Sequence, residues 1–423
     1  MIDTTSDAQA PGGAPAVSKP AERLVSLDAY RGLIMLFMAS AALGIPQVAK
    51  HSQSGFWPRA ASQLEHSAWV GCSAWDLIQP AFMFMVGVAI PYSYARRRQQ
   101  GQSSGRMLRH AAIRALVLVF LGVFLASGGS RQTNFLFTNV LAQIGLGYLF
   151  VVLLWRRGVW LQAAAALAIL AGYWYVFYWY PSPQPGPEFD FAAYGLPKDW
   201  PLLPGVAAHW NKHANFAGWF DLRFLNLFPR EKPYAFEPGA GGYQTLNFIP
   251  SMATMILGLM AGELLRSARS ARAKLAALIM AGGVLMAAGL VAGDTICPIV
   301  KRIWTPSWAL LSGAWVVWML AALYALIEMA GYRRWAFPLV VVGMNSIVIY
   351  LMCQLMKGWT WSMLRLHVGP LLKWAPIDRA IHTIFGPQGF DPIYMPMVQS
   401  TSVLLVFWLI CWWLYRQKLF VRI

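Results

Sequence analysis

Acidic side chains are scarce. Only 17 Asp and Glu occur in 423 residues, and all charged types together make up 12% of the chain. Soluble domains run near 25% charged, so a soluble multidomain enzyme is excluded. Cysteine is equally sparse. Its four copies include no Cys-x-x-Cys pair, which rules out a disulfide framework or zinc site, and no metal is expected. Cys72 and Cys297 are read as two unrelated thiols. Residues 1–22 lack an apolar core segment, so they form a disordered cytoplasmic tail and no cleavable signal peptide. The first span must then act as the insertion signal. No internal repeat is visible, which argues against inverted-repeat transporters.

What remains is 58% hydrophobic, with 21 Trp and 23 Phe. That composition predicts an all-α polytopic membrane protein forming one bundle. Ten candidate spans follow, at 28–45, 74–94, 110–127, 138–155, 159–179, 246–265, 274–292, 308–330, 335–356 and 397–415. Each is near the ~20 residues that cross a hydrocarbon core. The net charge of +17 does not signal nucleic acid, because the basic residues fall in short clusters between apolar runs. With both termini cytoplasmic, 20 of the 34 Lys and Arg lie on the inner side, mostly in short connections where the positive-inside rule has most force. They include Lys19, Arg23, Arg31, Arg114, Arg333 and Arg422. The transmembrane domain is expected over 23–423, with 181–245 as an external, Trp- and Pro-rich insertion folding over the mouth of the bundle. The 357–396 segment is expected to include an interfacial helix.

Few residues in such a chain can do chemistry. His66 stands in an external loop just before the second span, and a neutral imidazole is a natural general base. The bland alternative is an interfacial histidine that only hydrogen-bonds. Asp76 follows at the entrance of that span, where a carboxylate either orients a histidine or caps the helix. Lys301 and Arg302 stand beside Trp304 at another outer mouth, suited to an anionic or glycan group, or to plain interfacial anchoring. Asn345 lies within the ninth span, where an amide must find a partner, by packing or by lining a path. Gly258 and Gly262 form a Gly-xxx-Gly packing pair. Asp28 and Arg31 are three apart on one helix face, and Arg31 could also meet a phosphate from the inner side.

The stretches Ser26-Leu-Asp28-Ala-Tyr-Arg31-Gly32, His66-Ser-Ala-Trp69-Val-Gly71-Cys-Ser-Ala-Trp-Asp76, Phe82-Met-Phe84-Met-Val-Gly87, Glu237-Pro238-Gly239, Lys301-Arg-Ile-Trp304, Gly343-Met-Asn345-Ser346 and Tyr415-Arg416-Gln-Lys418 occur in that order. Together they resemble the catalytic membrane domain of the heparan-α-glucosaminide N-acetyltransferase family and its bacterial relatives, the domain-of-unknown-function type 5009 proteins. The resemblance implies a transmembrane acyltransferase of the bacterial inner membrane. It would move an acetyl group from cytoplasmic acetyl-CoA to an amino sugar or other glycan on the periplasmic side. His66 would be the base or the acetyl carrier, with Asp76 beside it. Lys301, Trp304, Asn345 and Trp69 are the expected acceptor-binding residues, and Arg31, Arg114 and Arg333 the expected contacts for CoA phosphates. A homodimer in the bilayer is compatible with the family. The sequence departs from the family at Ala42, where an Asn is expected, at Gln79, and in a longer 46–65 loop. A transporter or flippase, or a non-catalytic partner in envelope assembly, stays open as an alternative.

Overall fold

The computed structural model describes residues 24–52, 55–233, 241–385 and 391–421. The 1–22 tail, Lys19, Arg23, the Glu237-Pro238-Gly239 run and Arg422 lie outside them. The described residues are helical, with one isolated antiparallel bridge between Val70 and Val300. In chain order the principal helices are α1 (Val25–Ala39), α2 (Phe56–Leu64), α3 (Ile78–Gln99), α4 (Ser104–Ala126), α5 (Val140–Leu153), α6 (Val159–Trp179), α7 (Phe216–Phe224) and α8 (Phe248–Arg266). They continue as α9 (Ala271–Thr295), α10 (Pro306–Leu323), α11 (Phe337–Met344), α12 (Ser346–Leu355), α13 (Lys357–His367), α14 (Ala375–Phe385) and α15 (Met395–Arg416).

Eight helices among the described residues are long and apolar enough to cross a membrane, where the sequence led us to expect ten spans. The other two candidates differ for local reasons. The 335–356 segment breaks at Asn345 into α11 and α12, which meet at 77°, and counting this bent pair as one span gives nine. The 138–155 segment forms only the 14 residues of α5, about 21 Å at the helical rise. Asn139 caps its start by accepting from the Ala142 amide, and a left-handed Arg156 at φ 64° precedes Gly158 beyond its end.

The spans form two shells. Half to two-thirds of the apolar windows of α1, α3, α8 and α10 is buried, against 22% for α4, α6, α9 and α15. The inner shell is held close by glycine. A Cβ at Gly258 would overlap the carbonyl of Phe84, and one at Gly87 the carbonyl of Met255, so α3 and α8 touch backbone to backbone. Gly32 and Gly343 do the same for α1 and α11. At the end of α1 the chain turns through Ala41, Ala42 and Leu43, at φ 48°, 56° and 52°. Left-handed conformations cost a side chain with a Cβ roughly 1–2 kcal/mol per residue and suit Asn and Gly best. The turn therefore occupies the stretch where the family resemblance predicts Asn.

One end of the bundle carries the start of α1 and the end of α15. The other carries the 65–74 loop, the 296–305 loop and the segment between α6 and α8. There Trp69, Phe177, Trp210, Val300 and Ile303 form a separate buried cluster.

Candidate active site

The 65–74 and 296–305 loops are tied by the Val70–Val300 bridge and by the Gly71 amide donating to the Ile299 carbonyl at 2.9 Å. The second loop is knitted to itself. The Val300 amide donates to Thr305 Oγ1 at 3.0 Å, and Ser307 Oγ donates to the Pro298 carbonyl at 2.9 Å. This pairing brings Lys301 to a histidine 235 positions away in the chain.

Asp76 is the centre of the cluster and is 1% exposed. Its Oδ2 accepts from the amides of Ser67 at 3.2 Å and Ser73 at 3.1 Å, while Ser73 Oγ lies 3.0 Å from it. The Asp76 amide donates back to Ser73 Oγ at 3.3 Å. Ser73-x-x-Asp76 is thus a reciprocal capping box. Its Oδ1 is left for His66 Nδ1 at 2.7 Å and Lys301 Nζ at 3.2 Å. Helix capping and histidine orientation, which the sequence offers as alternatives for Asp76, are both satisfied, one by each oxygen.

The hydrogen-bond pattern assigns the tautomer. A ring nitrogen 2.7 Å from a carboxylate oxygen carries the proton, so Nδ1 donates and a neutral ring keeps Nε2 as an acceptor. The His66 side chain is 38% exposed, so the ring reaches solvent. Lys301 Nζ also lies 3.0 Å from Nδ1, but with Nδ1 protonated its hydrogen bond goes to Asp76. Burial pushes the Lys301 ammonium down to about 8, with the Asp76 charge opposing. Cys72 is no competing nucleophile. Burial, then the charge of Asp76, pushes its thiol up to about 12, and the thiolate is the reactive form. Both Cys72 and Cys297 are free.

Trp69 borders the cluster, its indole N–H donating to the Trp210 carbonyl at 2.9 Å. Trp304 is fully buried at a left-handed φ of 49°, with an indole nitrogen that has no partner among the described residues. Asn345 is elsewhere. At the break between α11 and α12 its amide donates to the Leu419 carbonyl and its oxygen accepts from the Val421 amide, both at 3.1 Å. It therefore holds the chain's C-terminal segment, at the opposite end of α1 from Trp75, which meets Phe37.

The three arginines expected to meet phosphate also lie at that other end, each with a local partner. Arg31 pairs with Asp28 and Arg333 with Glu328, both at 3.4 Å, while Arg114 donates to Tyr148 at 3.3 Å. Sequence reasoning passed over a larger feature nearby. A cleft of about 750 Å³ opens between the ends of α3 and α8 and the turn after α5, lined by Arg98, Trp155, Arg156, Glu263 and Arg266. Its signal in the sequence was three basic clusters far apart in the chain. Ser67, Ser73, Tyr243 and Lys212 were also missed near His66. Only Ser73 had a local signal, the capping-box spacing. No cluster of metal-ligating side chains occurs among the described residues.

No family model matches the chain. Curated relatives do. The heparan-alpha-glucosaminide N-acetyltransferase of Homo sapiens is 23% identical over 363 residues, covering 78% of this chain and 52% of the human protein. That of Mus musculus is 22% identical over 446 residues, covering 95% of this chain and 61% of the mouse protein. The chain thus spans roughly half to three-fifths of the length of these relatives. It is a distant relative of the heparan-alpha-glucosaminide N-acetyltransferases.

Proposed function

We propose that this protein is a membrane-embedded N-acetyltransferase that carries an acetyl group from an acyl-CoA donor on the inner side to an amine on a glycan or amino sugar outside. The observation that carries the reading is the His66–Asp76–Lys301 cluster, in which a buried carboxylate binds Nδ1 of an exposed imidazole and leaves its other nitrogen for the chemistry. Nε2 takes the proton that the acceptor amine loses as its nitrogen bonds to the acyl carbon. The same proton goes to the departing sulfur as the C–S bond breaks. A histidine is suited to both transfers near neutral pH. Asp76 holds the ring in the required tautomer and offsets the imidazolium charge while it lasts. The inner cleft suits the donor's phosphates better than the paired Arg31 and Arg333 do, since Arg98, Arg156 and Arg266 converge there beside the Trp155 ring. A bacterial inner membrane, cytoplasmic termini and an external 181–245 segment complete the proposal.

The test is CoA release from acetyl-CoA by purified protein in detergent, with and without glucosamine, for wild type and His66→Ala. Release that requires glucosamine and is lost in the variant supports direct transfer. Release without glucosamine, also lost in the variant, supports an acetyl carried on His66. If neither occurs and CoA does not raise the melting temperature, the enzyme reading fails and the transporter or scaffold reading replaces it.

A further inference from the structure

Around His66 stand the cations Lys301, Lys212 and Arg302, against the buried Asp76 and the exposed Glu65. Asp76 is already shared between His66 and Lys301. Lys212 is only 2% exposed, and its ammonium sits 4.6 Å from the centre of the Trp200 ring. Arg302 is half-buried. Its guanidinium donates to the carbonyls of Gly241 and Ser67, faces the Tyr243 ring at 5.7 Å, and leaves Nε with no partner among the described residues. Neither cation has a carboxylate partner among the described residues. A ring holds Lys212, and two carbonyls and a ring hold Arg302, although charges withdrawn from water are ordinarily paired. Burial, then the charge of Arg302, pushes the Lys212 ammonium below the usual lysine range, so the two cations sense each other.

The strap Gly241-Gly242-Tyr243 connects these groups to the base. A Cβ at Gly242 would come within 2.8 Å of the Trp69 ring and 3.2 Å of Lys212 Cε, and one at Gly241 within 3.7 Å of Arg302 Nη1. Tyr243 then stands 6.4 Å, ring to ring, from His66. Two cations without a carboxylate partner among the described residues therefore flank the Gly241-Gly242 stretch beside the imidazole.

We propose that Lys212 and Arg302 form an anion subsite beside His66, so that the acceptor carries a phosphate, sulfate or carboxylate near its reacting amine. This rests on the acetyl-transfer reading for its reaction, though not for its binding. The subsite makes the enzyme selective for anionic over neutral amino sugars, and it acts through acceptor binding.

The experiment compares glucosamine, glucosamine 6-phosphate and glucosamine 6-sulfate as acceptors for the full chain in detergent, in wild type, Lys212→Met and Lys212→Arg. Methionine keeps the packing on Trp200 and removes the charge. The expected wild-type preference for the charged acceptors is about tenfold or more in kcat/KM, from one charge-assisted contact. Lys212→Met abolishes it through a higher KM for the charged acceptors, and Lys212→Arg keeps it. Melting temperature is measured in parallel with each sugar and no donor. A rise with the charged sugars only, lost in Lys212→Met, supports the subsite even if no sugar is acetylated, and the transfer reading then falls alone. Transfer to charged and neutral sugars with equal kcat/KM overturns the subsite and leaves the transfer reading standing. If Lys212→Met does not fold, inhibition of wild-type glucosamine acetylation by inorganic sulfate decides. Competition with glucosamine supports the proposal, and no effect at a concentration that matches ionic-strength controls overturns it.

Discussion

Replacing Asp76 by Asn tests the geometry at its centre. The substitution is nearly isosteric, but an amide has one acceptor atom where the carboxylate has two. On the Oδ2 side the backbone donors Ser67 N–H and Ser73 N–H cannot be reversed, so the amide oxygen must turn toward them. The NH2 then faces His66 Nδ1, 2.7 Å from the position it takes over, and the Lys301 ammonium. Donor would oppose donor unless the ring moves its proton to Nε2. The base is then blocked at the atom meant to receive the amine proton. In the serine proteases, a wrong tautomer of the histidine paired with a buried aspartate costs about 10⁴ in turnover, and we expect a loss of roughly 10³–10⁴ here. Asp76→Ala gives an internal control. It imposes no donor on Nδ1, so it should be no slower than Asp76→Asn despite removing more of the side chain. The assay is single-turnover acetyl transfer with saturating acceptor, alongside thermal melting to show that both variants are folded. An Asn variant within tenfold of wild type, or one clearly faster than Ala, would refute the assignment of Nδ1–H to Asp76.

Other consequences are more local. Burial holds the Lys301 ammonium at about 8, against 10.5 for an unperturbed lysine, with Asp76 opposing. Between those values the unfolded chain binds a proton that the folded chain has shed. Stability conferred by this residue therefore rises from about pH 8 to 10.5, by up to ~3 kcal/mol, and thermal melts of Lys301→Met across that window should lack the rise seen in wild type. Asn345→Ala should lower stability by about 1–3 kcal/mol through loss of two part-buried hydrogen bonds to Leu419 and Val421, with turnover per folded molecule retained in single-turnover assays. Gly258→Ile forces a branched side chain into the Phe84 carbonyl and should cost upwards of about 2 kcal/mol, read as a lower melting temperature or loss of folded protein in detergent.

Hydropathy and composition are local properties, so the sequence by itself determined that this is a helical membrane chain and where most of its apolar helices run. It also brought forward His66 and Asp76, because ionisable groups stand out against so few charges, and the Gly258–Gly262 pair, because close helix packing has a fixed four-residue spacing. The break at Asn345 and the short α5 were illegible, since mean hydropathy does not record where a helix bends or stops. Only the tertiary structure decided which distant residues meet. One bridge between two loops sets Lys301 against the histidine–aspartate pair, while the ends of α11 and α15 hold Asn345 away from it. Three arginines scattered in sequence line one cleft, and Lys212 reaches the mouth from a segment whose composition marks it only as aromatic. Contacts between segments far apart in the chain depend on how the helices cross and where their loops land, which no periodicity along the sequence encodes.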